Sequence, residues 1–184
     1  PNAVKVYAAD SDKGLNYVGI EYIDGQSMQD WIDKLETLSV GDAINVTLSC
    51  ADALNHAHEL NLIHRDIKPD NILVTKKGVV KVADFGLTVI CKTSRERVAE
   101  GEEDTTVDVG GHYGVQGTPQ WMAPEVMEGD AIDEKVDVYA FGIILTELFA
   151  RRMPFSDTFH GFTFIDAVLD EGAVPTIPQW CLGL

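Results

Sequence analysis

A chain of 184 residues, 45% of them hydrophobic, has the apolar material for one ordinary domain with a real core. Its 30 acidic against 14 basic residues leave a formal net charge of -16. That repels phosphate backbones and acidic lipid, and so argues against nucleic-acid binding and against attachment to an anionic membrane.

Residues 1–23 read as a hairpin: Val4-Lys5-Val6-Tyr7 and Tyr17-Val18-Gly19-Ile20 are β-prone, and Ser11-Asp12-Lys13-Gly14 supplies the turn. Asp24-Gly25 is expected to end the second strand. Helical character begins at Ser27. Ser39-Val40-Gly41-Asp42 has the form of a capping box with Asp in its fourth position. Ile44, Leu48, Ala51, Leu54 and Ala57 then recur every three or four residues, predicting a helix to about Leu60 with that row as its apolar face. Ile72-Leu73-Val74 and Val79-Val80-Lys81-Val82 read as short strands about the turn Lys76-Lys77-Gly78.

Residues 91–117 carry six acids between Glu96 and Asp108, followed by four glycines, and are expected to form an exposed, mobile loop. Val136, Ala140, Ile143, Ile144 and Leu148 predict a central helix, apolar nearly all round. The apolar run from Val138 to Phe149 is too short to cross a bilayer and contains Glu147, so no membrane insertion is expected. Cys50, Cys91 and Cys181 are odd in number and form no CxxC pair. Reduced thiols in a cytoplasmic protein are expected, rather than a disulfide framework. No stretch near Pro1 has the order of a signal peptide, and the Asn45-Val46-Thr47 sequon is read as chance. The fold class expected is mainly α with short β hairpins.

Three motifs follow one another. His64-Arg65-Asp66-Ile67-Lys68-Pro69-Asp70-Asn71 is the first, Asp84-Phe85-Gly86 the second, and Gly117-Thr118-Pro119 with Ala123-Pro124-Glu125 the third. A lone DFG tripeptide means little, but all three in this order form a specific pattern. On these residues the chain resembles the protein kinase superfamily over essentially its whole length. Trp121-Met122-Ala123-Pro124-Glu125 and Asp137-Val138-Tyr139-Ala140-Phe141-Gly142 look most like the tyrosine kinase-like group, whose members are mostly serine/threonine kinases.

The resemblance implies a protein kinase-like C-terminal lobe over residues 24–184, with residues 1–23 as a remnant hairpin of the N-terminal lobe and the start of the hinge. It implies transfer of the ATP γ-phosphate to a protein serine or threonine. Such a transfer needs positioning and charge neutralisation more than covalent help. Asp66 is expected to accept the proton of the substrate hydroxyl, and Lys68 to neutralise the transferring group. Asn71 and Asp84 are expected to hold Mg2+, a hard cation that takes oxygen ligands. Ile20 would stand beside the adenine, backbone groups of Glu21 and Ile23 would bond its edge, and Leu73 would form the floor under the ring. Thr118 would bond the catalytic Asp and Lys, and Asp137 would accept hydrogen bonds from the backbone around Arg65. His64 is expected to hold its loop together, and the three tryptophans to pack. His56 and His58, two residues apart, cannot share a helix face for a metal.

By the same resemblance, Arg65 is expected to dock a phosphate of the activation loop. Thr93, Ser94, Thr105, Thr106 and Tyr113 are the candidate phosphorylation sites in the 42-residue segment from Asp84 to Glu125. The family's glycine-rich loop, its VAIK-type lysine and the matching helix glutamate do not occur; Val4-Lys5-Val6 lies too close to the hinge to be that lysine strand. A partial catalytic domain, inactive alone and partnered by the rest of the N-terminal lobe, is therefore expected. Glu125 is expected to lack the Arg with which the family pairs it. Two other classes compete: a non-catalytic scaffold, against which the intact Asp66, Lys68, Asn71 and Asp84 argue, and a small-molecule kinase, against which the Thr118-to-Glu125 peptide ledge argues.

Overall fold

Lys13 and Gly14 set the first feature of the fold, because both have positive φ, +50° and +81°. Two such residues form the tight turn whose twist matches flanking antiparallel strands. The computed structural model, which describes residues 1–34, 39–90, 117–130, 132–150, 152–156 and 163–177, accordingly pairs β1 (Val6–Asp12) with β2 (Leu15–Ile20). The turn is shorter than the sequence suggested. Ser11 and Asp12 stay in the ladder, opposite Asn16 and Leu15.

Asp24-Gly25 does not end β2, which stops at Ile20. Gly25 instead opens β3 (Gly25–Ser27), which pairs with β5 (Ile72–Thr75); β5 pairs in turn with β6 (Val80–Val82), giving a three-stranded antiparallel sheet in the order β3-β5-β6. A Cβ at position 25 would lie 2.1 Å from the carbonyl oxygen of Val74, so only glycine permits this strand approach. The outer edge of β6 meets the start of the chain, where Val82 N–H donates to Asn2 O at 2.7 Å and Val4 N–H to Val82 O at 2.8 Å. β4 (Leu62–Ile63) and β7 (Val89–Ile90) form a second two-stranded ladder.

Helix α1 (Met28–Lys34) starts on a reciprocal cap: Asp30 N–H donates to Ser27 Oγ, and Ser27 N–H to Asp30 Oδ2, both at 3.1 Å. Helix α2 (Val40–Glu59) starts as the sequence predicts, with Asp42 N–H donating to Ser39 Oγ at 3.1 Å. Its buried face matches the predicted row only at Leu54 and Ala57. Ala43, Val46, Cys50, Ala53, Leu54 and Ala57 are buried, whereas Ile44, Leu48 and Ala51 are exposed. Two apolar rows about 100° apart run along this helix, and small residues on the inner one let the helix lie close to its neighbours. Burial pushes the Cys50 thiol up to about 12, which leaves it protonated and unreactive.

Helix α3 (Pro124–Glu128) is short. Helix α4 (Lys135–Ala150) is central, as expected: Val136, Ala140, Ile143, Ile144 and Leu148 are all buried. It is not apolar all round in its setting, since Val138 is exposed while Asp137 and Glu147 are buried. Helix α5 (Thr163–Glu171) follows. The main core joins Met28, Val46, Cys50, Ile72, Val82, Trp121, Ile144 and Phe164. Among the described residues no helix is long and apolar enough to cross a membrane.

Candidate active site

The loop between β4 and β5 is held in an unusual shape by a carboxylate beneath it. Arg65 has φ +71°, a conformation that costs free energy for a residue with a side chain. Asp137, in the first turn of α4 and fully buried, accepts from Arg65 N–H at 2.9 Å through Oδ1. Its Oδ2 accepts from His64 N–H at 2.9 Å and stands 2.8 Å from His58 Nε2. These charge-assisted bonds offset the cost of the left-handed turn and of burying the carboxylate.

His64 fixes the loop from the other side. Its Nε2 lies 2.9 Å from Ala83 O, an acceptor only, so this nitrogen carries the proton. Nδ1 is then free to accept from Asp66 N–H, at 3.3 Å. His64 is therefore a neutral clamp between the loop and the end of β6, in keeping with its expected holding role.

The clamp presents Asp66 to a cluster of donors. Thr118 Oγ1 donates to Asp66 Oδ1 at 3.0 Å, Lys68 Nζ reaches Asp66 Oδ2 at 2.9 Å, and Lys68 Nζ also donates to Thr118 Oγ1 at 2.8 Å. Asn71 Nδ2 donates to Asp66 O at 2.8 Å and to Asp66 Oδ2 at 3.2 Å. Three side-chain donors thus meet a carboxylate with about four lone-pair positions, so one acceptor site is left for a further hydroxyl. The side chains of Asp66 and Lys68 are 10% and 22% exposed, enough for a ligand to reach them.

Asp84 sits just beyond β6. It has φ +60°, is exposed, and its Oδ1 accepts from Gly86 N–H at 3.3 Å. The preceding Ala83 N–H donates to Asn71 O at 2.8 Å, which fixes the start of this turn to the loop bearing Asp66. Because Asn71 commits its amide nitrogen to Asp66, its Oδ1 is the oxygen left for a ligand. Among the described residues no three His, Cys, Asp or Glu side chains converge as a metal site. A cation held by Asn71 and Asp84 would take its remaining ligands from phosphate and water, as Mg2+ commonly does.

The residues expected around an adenine fall at the end of β2, just after it, and in β5. Ile20 is exposed at the end of β2 and Ile23 is half-buried. Leu73 is half-buried in β5, between Ser27 and Lys81 on the neighbouring strands. Glu21 N–H donates to Lys5 O at 2.8 Å. Thr93, Ser94, Thr105, Thr106 and Tyr113 lie outside the described residues, as does most of the acidic loop.

Sequence reasoning missed three contributors. His58 was set aside as a metal ligand, yet its ring supports Asp137 from one helix turn away from the loop. Lys81, seen only as a strand residue, is buried and paired with Glu21 at 2.8 Å. Glu147 interrupts an apolar run and accepts from Trp121 Nε1–H at 3.0 Å in the interior. Burial pushes its carboxyl up to about 7; the Trp121 bond opposes this, while Asp70 and Asp33 reinforce it. A lone charge within an apolar helix was the one available signal, and Trp121 is its partner.

Comparison with known proteins places the chain in a family. The model of the protein kinase domain family matches residues 1–171, and the chain belongs to that family. A probable serine/threonine-protein kinase PknB of Bifidobacterium longum is 35% identical over 165 residues, covering 85% of this chain and 22% of the relative. Serine/threonine-protein kinase PrkC of Bacillus subtilis is 33% identical over 155 residues, covering 84% of this chain and 22% of that protein. Dual specificity protein kinase shkA of Dictyostelium discoideum is 39% identical over 126 residues, covering 68% of this chain and 22% of the relative. The chain thus spans about a fifth of the length of these curated relatives.

Proposed function

We propose that this chain carries the phosphoryl-transfer site of a protein serine/threonine kinase, which moves the γ-phosphate of ATP to a hydroxyl of a protein substrate. The single observation that carries this reading is the closed set of contacts among Asp66, Lys68, Asn71 and Thr118. In it Asp66 accepts the proton of the attacking hydroxyl at its remaining carboxylate position. Lys68 stands at the same carboxylate as a cation for the phosphoryl group. Thr118 holds the two at one spacing, which supports serine/threonine rather than tyrosine specificity, as do the names of the bacterial relatives. Asn71 and Asp84 would hold Mg2+, which when bound neutralises phosphate charge.

In this reading residues 24–184 form the larger lobe, and residues 1–23 bring a hairpin of the smaller one. Glu21 and Ile23 meet the adenine edge with their backbone, beside Ile20 and above Leu73. Placement in the tyrosine kinase-like group rests on Trp121 to Glu125 and Asp137 to Gly142 alone.

The Asp66→Asn variant of the full-length protein tests the assignment. The amide keeps the shape but cannot take the proton, so transfer from labelled ATP should fall on the order of 10³-fold. Nucleotide binding by calorimetry should stay within about threefold of the parent. A variant that still phosphorylates at the parent rate removes Asp66 from the base role.

A further inference from the structure

Lys81 occupies the middle of β6, a strand buried along its whole length. A lysine in such a place is uncommon unless its ammonium has partners. Here Nζ donates to Glu21 Oε2 at 2.8 Å and to Pro1 O at 3.0 Å, with Ala3 O at 3.5 Å. Glu21 Oε2 also accepts from Lys5 N–H at 3.2 Å, and Glu21 N–H donates to Lys5 O at 2.8 Å. The Lys81 hydrogen bond is the main reason that the Glu21 carboxyl lies below its ordinary range. Glu21 is thereby held through both its backbone and its side chain, at the point where the chain leaves β2.

The register of the sheet adds a second relation. Lys81 lies directly opposite Leu73 in the antiparallel β5–β6 ladder. Directly opposed residues project to the same face, with Cβ atoms about 5 Å apart. The lysine stem thus runs beside Leu73 before its ammonium reaches Glu21. One side chain links the residue expected under the purine ring to the backbone expected at its edge.

We propose that Lys81 is a positioning residue for the nucleotide, fixing the distance between the Glu21-to-Ile23 backbone and the Leu73 floor through its bond to the Glu21 carboxylate. The proposal rests on the reading that this chain binds ATP between those two parts. Lys81 itself touches neither the phosphates nor the reacting atoms. Its loss should therefore act on nucleotide affinity and leave the chemical step alone.

The test uses the full-length protein with Lys81→Met, which keeps the stem but removes the charge and the donors, and Glu21→Gln, which keeps an acceptor at the half-exposed end. Binding of a fluorescent ADP analogue and steady-state kinetics are measured together. Lys81→Met should raise KM for ATP and the analogue Kd by roughly tenfold, the scale of one charge-assisted hydrogen bond, with kcat at saturating ATP within twofold. Glu21→Gln should give a smaller rise of the same kind, and the exchanged pair Glu21→Lys with Lys81→Glu should recover part of the affinity. A fall in kcat with unchanged KM for ATP overturns the proposal, and so does equal loss in KM for ATP and for the protein substrate. If Lys81→Met does not fold, unaltered nucleotide affinity in Glu21→Gln overturns it on its own. Parent protein that binds no nucleotide sinks the kinase reading, and this proposal falls with it; parent protein that binds while the variants bind equally well sinks this proposal alone.

Discussion

The surroundings of Glu147 change its chemistry within the physiological pH range. Removed from water, its charged form loses hydration that the single bond from Trp121 does not replace, and the carboxyl moves from 4.5 to about 7. The folded chain therefore keeps a proton that the unfolded chain releases. The stability this proton confers is fully present below about pH 4.5 and is lost as the pH rises through about 7. The loss across that window is on the order of 3 kcal/mol. Glu147→Gln keeps an acceptor for Trp121 and cannot ionise. Thermal unfolding followed from pH 5 to pH 8 should therefore show a steadily growing advantage of the variant over the parent. Parallel curves for the two would mean that Glu147 is ionised throughout. Single residues such as this were the least legible part of the sequence. The motif residues could be read because their types and spacing are shared across a family, but Glu147 and Lys81 take their roles from partners 26 and 60 positions away.

At the scale of elements, the sequence carried what local chemistry decides and lost what packing decides. The cap at Ser39 and the strands about Lys76-Lys77-Gly78 follow from short-range preferences, and both appear where expected. The inner face of α2 does not, because Ile44 and Leu48 are larger than Ala43 and Ala53 and dominate any reading by hydrophobicity. Which row turns inward is decided by how closely the helix must approach its neighbours. The third strand was missed for a related reason: three residues, Gly25–Ser27, have no period to read. Gly25 shows what that strand depends on. Alanine there would bring a methyl group to 2.1 Å from Val74 O and 2.8 Å from Thr75 Cα, so β3 would have to separate from β5. Gly25→Ala should destabilise the protein by about 1–3 kcal/mol, the range for forcing a methyl into a full space. Calorimetric melting would register this as a lowered Tm. An unchanged Tm would show that β3 is not held to β5 in solution.

For the whole molecule, two regions differ sharply in how they are held. The three-stranded sheet, α2 and α4 share one continuous core, with Ile72, Val82 and Ile144 all fully buried. The hairpin of β1 and β2 shares none of it. Tyr7 is 69% and Leu15 74% exposed, and every residue of β1 is exposed. An isolated two-stranded hairpin is at best marginally stable in water. What fixes this one lies at its base, where Asn2 and Val4 bond to Val82, Lys5 bonds to Glu21, and Glu21 bonds to Lys81. Opening the hairpin therefore exposes little apolar surface, whereas opening the sheet unpacks the core. Hydrogen exchange should separate the two, with amides of Val6 to Ile20 exchanging on the order of 100-fold or more faster than those of Val80 to Val82 and of α4. Equal protection in both regions would mean that the hairpin is covered in solution, and that its apolar side chains have found a surface to pack against.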